Sequence, residues 1–233
     1  MGSPVSEPGH RDTENQVSVT LTHGFWMGKY EVTQGEWARL YGEVPGPLLG
    51  GRGDNFPVYF VSWLQAKAFC LRLMALAQQA GSLPAPWRFD LPTEAQWEYA
   101  CRAGTTTAFA FGSSLTKSDA VIGRPFHGRA DGTPGAVAEP VGSFPANAWG
   151  LHDMHGNEFE WARDWFHPRL PGGIDPDLSD LKGPPNRDGT YSRARRGGAW
   201  MDAPEFARSA IRLPYEPDRN ADHIGFRLAI VAA

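Results

Sequence analysis

Apolar and polar residues alternate or recur at helical spacing in the first 104 positions, and lose both periods afterwards. Val17-Ser18-Val19-Thr20-Leu21 alternates and predicts a strand, and the segment Phe25 to Val32 predicts a second. Thr33-Gln34-Gly35-Glu36 is a capping box, in which hydroxyl and carboxylate satisfy each other's backbone donors, so a short helix is expected to about Leu40. Ser62 and Gln65 form a second box. Leu64, Ala68, Leu71, Met74 and Ala75 follow at helical spacing up to Gly81, and Pro84 and Pro86 forbid continuation. Arg88 to Leu91 reads as a strand, and Thr93 to Gln96 opens a third helix expected to reach Ala103. Beyond residue 105, short apolar pieces alternate with Gly, Pro, Asn and Asp, and strands are expected at Trp161 to Trp165, Arg195 to Trp200 and Gly225 to Ile230. Residues 1–16 and 42–57 read as loop. With no repeat, linker or shift in composition, one α+β domain over residues 1–233 is expected.

Composition agrees with a loop-rich domain held by aromatics. Gly (27) and Pro (20) make up about a fifth of the 233 residues, against roughly 12% in average usage. Nine Trp and 12% aromatics exclude a disordered chain. No apolar run approaches the roughly 20 residues of a membrane span, and a net charge of −4 leaves no electrostatic footprint for nucleic acid. Neither a nucleic-acid partner nor membrane insertion is expected, and the chain reads as a monomer. Cys70 and Cys101 fall in helical patterns and read as two buried thiols, a bridge between them requiring Cα atoms within about 7 Å. Met1-Gly2-Ser3-Pro4 has neither a basic nor an apolar leader region, which leaves the cytoplasm as the default compartment.

Several chemistries lack their residues. The chain has no Cys-x-x-Cys, no His-Glu-x-x-His, no phosphate-cradling Gly loop and no Gly-x-Ser-x-Gly elbow. His152 and His155 stand three apart without a third ligand at a sensible spacing. Glu158, Glu160 and Asp164 cluster with Asn157, an oxygen-rich set that suits Ca²⁺ or, equally, a group of turn and strand residues bonded to backbone and Arg.

Gly156-Asn157-Glu158-Phe159-Glu160-Trp161 resembles the Gly-Asn-x-x-Glu-Trp signature of the formylglycine-generating-enzyme (sulfatase-modifying factor) family. Further motifs match in order: Met1-Gly2-Ser3-Pro4, Gly24 to Thr33, Val61-Ser62-Trp63, Leu91 to Ala100, Asn147 to Asn157, Arg196 to Trp200 and Gly225 to Leu228. The resemblance implies an elaborated C-type-lectin fold with few short helices, short antiparallel strands and much loop. In the family's enzymes two Cys after Gly-Gly-Ser-Trp bind copper. Those positions hold Asp202 and Ala207 here, and neither supplies the soft thiolate that Cu(I) needs. The chain is therefore expected not to be an enzyme and to require no cofactor. The signature loop of the family also implies Ca²⁺ held by backbone carbonyls of His155 and Glu158 and the carboxylate of Glu160. A second family calcium site needs an Asn that is missing from Asp119-Ala120-Val121-Ile122.

The segment from Gly197 to Arg227 resembles the variable region of diversity-generating retroelement target proteins, in which Asn codons are scattered into many residue types on a lectin-fold scaffold. Gly197, Gly198, Trp200, Arg208, Ser209, Ala210, Arg212, Ile224, Gly225, Phe226 and Arg227 keep the scaffold pattern. The remaining positions hold Met201, Asp202, Ala203, Phe206, Ile211, Leu213, Tyr215, Glu216, Arg219, Ala221, Asp222 and His223, a chemically mixed set of aromatic and Met anchors within a polar rim. Ile211 and Leu213 neighbour scaffold arginines and could equally face the core. The resemblance implies a non-catalytic ligand-binding protein whose variable face takes an unidentified protein partner, with a family enzyme or accessory domain of unknown chemistry as the alternative. On this reading Tyr215 and Phe206 are free of folding duty, whereas Trp200 is not.

Overall fold

The computed structural model describes residues 1–47, 51–124 and 138–232. Three helices, α1 (Gln34–Tyr41), α2 (Trp63–Gln79) and α3 (Glu94–Arg102), all lie in the first half. Each opens on the capping box read from the sequence, with both reciprocal bonds made. Thr33 Oγ1 accepts from the Glu36 N–H at 3.2 Å, for example, and a Glu36 carboxylate oxygen accepts from the Thr33 N–H at 2.9 Å.

The strands near the N-terminus are shorter than the alternation predicts, whereas the one expected at Trp161 to Trp165 is longer. The strands are β1 (Val19–Thr20), β2 (Trp26–Met27), β3 (Trp87–Asp90), β4 (Phe159–Trp165), β5 (Gly173–Ile174), β6 (Arg193–Arg196), β7 (Leu213–Tyr215), β8 (Ile224–Gly225) and β9 (Ala229–Ala232). They form a four-stranded sheet ordered β7-β6-β4-β8, a three-stranded sheet ordered β2-β9-β3 and the pair β1-β5. The expectation of antiparallel strands needs correction at two places, because β1-β5 and β4-β8 pair in parallel. The strand expected over Arg195 to Trp200 stops at Arg196, where Gly197 and Gly198 turn the chain with φ of +94° and +76°. The strand expected over Gly225 to Ile230 divides between two sheets. Phe226 and Arg227 are successive and both fully buried, which no half-exposed strand allows. The alternation did not reveal β7, because it carries Pro214. A Pro is tolerated there because β7 is a sheet edge.

The main core gathers Val32, Trp37, Val58, Phe69, Phe159, Trp161, Trp200, Ile224 and Phe226 from both halves of the chain. Its indoles find acceptors, as buried indoles must. Trp63 donates to the Ala162 carbonyl at 2.9 Å, and Trp161 donates to the Val61 carbonyl at 2.8 Å.

Buried arginines hold the loops. Arg196, Arg208, Arg212 and Arg227 are all essentially inaccessible. Arg196 binds Glu98 at 2.6 Å, Arg208 binds Glu14 at 2.8 Å, Arg212 is gripped at both nitrogens by Glu94, and Arg227 binds both oxygens of Glu160 at 2.6 and 2.7 Å. These forks use their other donors on backbone: Arg208 on the Gly9 carbonyl at 2.6 Å, Arg212 on the His167 carbonyl at 2.6 Å. A guanidinium suits this role because its planar fork serves a carboxylate and two carbonyls at once. The polar residues 1–16, read as loop, are thereby fastened to the C-terminal third.

Candidate functional site

The Gly-Asn loop preceding β4 requires an unusual backbone. Asp153 and Asn157 have φ near +57° and +60°, and a Cβ on Gly156 would meet the Val121 carbonyl oxygen at 2.3 Å. Only glycine allows that approach. Asn157 then ties neighbouring segments together. Its amide donates to Glu31 at 2.6 Å, its carbonyl accepts from the Trp200 N–H at 2.8 Å, and its own N–H reaches the Val121 carbonyl at 3.0 Å. The Gly197-Gly198 turn is equally close-packed: a Cβ on Gly198 would sit 2.7 Å from the Phe206 carbonyl oxygen.

These two turns lead into the segment from Met201 to His223, whose middle, residues 207–212, is buried. Met201 is 37% exposed, and Ala203 and Arg219 are also exposed. Phe206 lies half-buried in a 3₁₀ turn with the Arg11 guanidinium 4.6 Å above its ring. Asp202, Glu216, Asp222 and His223 are half-buried. Asp202 caps the turn by accepting from the Ala199 N–H at 2.9 Å, and Asp222 Oδ1 lies 3.0 Å from His223 Nδ1. Ile211 requires correction. It is fully buried, between the clamped arginines Arg208 and Arg212, so it serves the core and faces no ligand. Leu213, Tyr215 and Ala221 are partly accessible but pack on the main core.

One residue absent from the expected set, the half-buried Arg195 of β6, borders this segment, with the core residue Phe159 of β4 beneath it. The Arg195 guanidinium lies 4.1 Å from the Phe159 ring centre and 4.8 Å from that of Tyr215. Asp202 and Tyr215 act on the charge of Arg195, and Arg195 and His223 act on that of Asp202, so these groups form one electrostatic neighbourhood. Burial holds His223 below its ordinary value, countered by Asp222. Arg193 and Arg195 point to the same side of β6, a period-two signal present in Arg193-Ala194-Arg195.

Of the groups expected to hold calcium, the Glu160 carboxylate is already engaged. Both oxygens of Glu160 are taken by Arg227, and Oε2 also accepts the Trp97 indole N–H at 2.7 Å. A cation placed there would face the guanidinium. The His155 ring is buried and fully used: Nδ1 lies 2.7 Å from the Ala207 carbonyl, and Nε2 accepts from the Ala110 N–H at 3.0 Å. Burial pushes its pKa down to about 4. Among the described residues no three His, Cys, Asp or Glu side chains converge as a metal set. Glu158 is fully buried with neither carboxylate oxygen hydrogen-bonded. Desolvation, then the charges of Glu31 and Asp222, raise it well above the usual carboxylate range, which favours the protonated acid. Cys70 and Cys101 are free and buried, each thiol pushed up to about 12 chiefly by burial.

Residues 1–232 match the family description "Sulfatase-modifying factor enzyme 1-like domain". The formylglycine-generating enzyme of Mycobacterium tuberculosis is 40% identical over 149 residues, 59% of this chain and 49% of that protein. The chain thus spans about half the length of the curated relatives it matches. PvdO from Pseudomonas aeruginosa superposes with a TM-score of 0.77 at 27% identity, over 99% of this chain and 90% of the other. Variable protein 1 of Treponema denticola superposes with a TM-score of 0.71 at 25% identity, over 94% and 88%.

Proposed function

The chain belongs to the sulfatase-modifying factor family, and from that premise we propose that it is a non-catalytic binding protein that captures a protein partner through the face running from Met201 to His223. One observation carries this reading. The two positions at which the family resemblance places copper thiolates are Asp202, a turn-capping carboxylate, and Ala207, a fully buried methyl whose carbonyl serves His155. Neither offers a thiolate, the soft ligand that Cu(I) needs. The same segment presents Met201, Phe206 and Tyr215 within a rim of Asp202, Glu216, Arg219 and Asp222, an interface-like mixture on a rigid scaffold. The likeness to the Treponema denticola variable protein supports diversification of this face.

Two measurements test the proposal. Purified protein titrated with Cu(I) and supplied with a Cys-containing peptide should show neither stoichiometric copper binding nor oxygen consumption. Turnover would establish the enzymatic alternative. The genomic locus should contain a near-copy of the Gly197 to Ile230 coding segment, differing at adenines, beside a reverse transcriptase. Its absence would remove the diversification reading.

A further inference from the structure

Arg195 is half-buried and is set apart from the buried arginines. Arg196, Arg208, Arg212 and Arg227 each hold a carboxylate within 2.8 Å. Arg193, which lacks a carboxylate, donates to the Arg163 carbonyl at 2.7 Å and the Ser179 carbonyl at 2.9 Å. Arg195 makes no hydrogen bond or ion pair among the described residues. Its Nε and Nη1 are both buried without a partner, whereas the other arginines with an orphaned buried nitrogen lack one for Nε alone. Nη2 is the remaining donor and the one that solvent reaches. The nearby acid acts on this charge but makes no ion pair with it, and Asp202 accepts from the Ala199 N–H instead.

We propose that Arg195 is the fixed anchor of the binding face and takes a carboxylate carried by the partner, an Asp or Glu side chain or a chain terminus. The inference rests on the binding reading above and names the chemistry of what is bound. The rings of Phe159 on β4 and Tyr215 on β7 lie against the guanidinium and limit its rotation. Nη2, the nitrogen that solvent reaches, presents its N–H donors outward, and a charge-assisted bond to a carboxylate oxygen is the strong contact open to them. Burial already disfavours the charge, so a partner carboxylate at Nη2 compensates a partly desolvated cation. Arg195 lies on a sheet strand, outside the segment of mixed residues, so it can serve whatever anchors the face carries.

The test uses acetate as the carboxylate probe and inorganic phosphate and chloride as comparison anions, at constant ionic strength. Binding is read from the Arg195 Nε–H resonance and the melting temperature. Wild-type protein should show a saturable acetate response, stronger than with phosphate and absent with chloride. Arg195→Lys keeps the charge but loses the ring-held guanidinium that aims Nη2 outward, and should weaken the acetate response by about tenfold or more. Asp202→Asn keeps an acceptor for the Ala199 N–H and removes the competing charge, so it should tighten acetate binding. That variant keeps the proposal falsifiable if Arg195→Lys fails to fold. No saturable response in wild-type protein, an equal response in Arg195→Lys, or no gain in Asp202→Asn would overturn it. A phosphate response above that of acetate would replace the carboxylate by a tetrahedral anion. Copper-dependent turnover would instead defeat the binding reading while leaving the acetate result standing.

Discussion

Tyr215→Ala decides whether the mixed positions are free of folding duty. Tyr215 is half-buried on edge strand β7, its ring 5.9 Å from that of Trp161 and 4.8 Å from the Arg195 guanidinium, and it packs on the main core. Half of the roughly 1.5–3 kcal/mol for burying a large apolar side chain is about 1 kcal/mol. The ring pair contributes about 0.5–1.5 kcal/mol, and the partly desolvated cation–π contact about 0.5–2 kcal/mol. The truncation should therefore cost about 2–4 kcal/mol. At about 2–4 °C per kcal/mol for a chain of this size, the melting temperature should fall by roughly 4–16 °C. Tyr215→Phe keeps both contacts and should stay within about 0.5 kcal/mol of wild type. Urea unfolding with an unchanged m value would confirm that stability alone has moved. A Tyr215→Ala protein that melts within about 2 °C of wild type would refute the assignment and make Tyr215 a purely surface residue.

Trp200→Ala removes a fully buried indole and should cost about 3–5 kcal/mol. Phe206→Ala loses partial burial and one Arg11 contact and should cost about 1–2 kcal/mol, and the two are told apart by thermal melting. Glu158 binds its proton more tightly in the folded protein than at the ordinary value of 4.5. Its contribution is then complete below that pH and is lost as pH rises toward the elevated folded value. Glu158→Gln should remove this loss, so the variant should gain stability relative to wild type between pH 5 and pH 8, a comparison made by urea titration at each pH. Millimolar chelator should leave the melting temperature unchanged, since a ligand bound only by the native state would have stabilised it. Glu160→Gln should cost about 3–5 kcal/mol by leaving the buried Arg227 charge without its carboxylate, and calcium should not restore the lost stability.

The three helices were legible in the sequence because their signals are local. A capping box needs only residues i and i+3, and Thr33, Ser62 and Thr93 opened helices where those pairs stand. The scaffold pattern was also legible, since Trp200, Arg208, Arg212, Ile224, Phe226 and Arg227 are all buried. What the local pattern could not show was which of those residues had a partner far along the chain. Ile211 lies between Arg208 and Arg212, whose carboxylates, Glu14 and Glu94, lie 194 and 118 residues away, and those clamps pull it into the core. Glu160 has the chemistry of a calcium ligand until Arg227, 67 residues later, takes both of its oxygens. Arg195 looks like one more arginine in a basic run, and only the sheet order sets it between Phe159 and Tyr215 without a carboxylate. A side chain's chemistry is written in the sequence, but whether its charge is neutralised, shared or left open depends on neighbours that long-range pairing supplies.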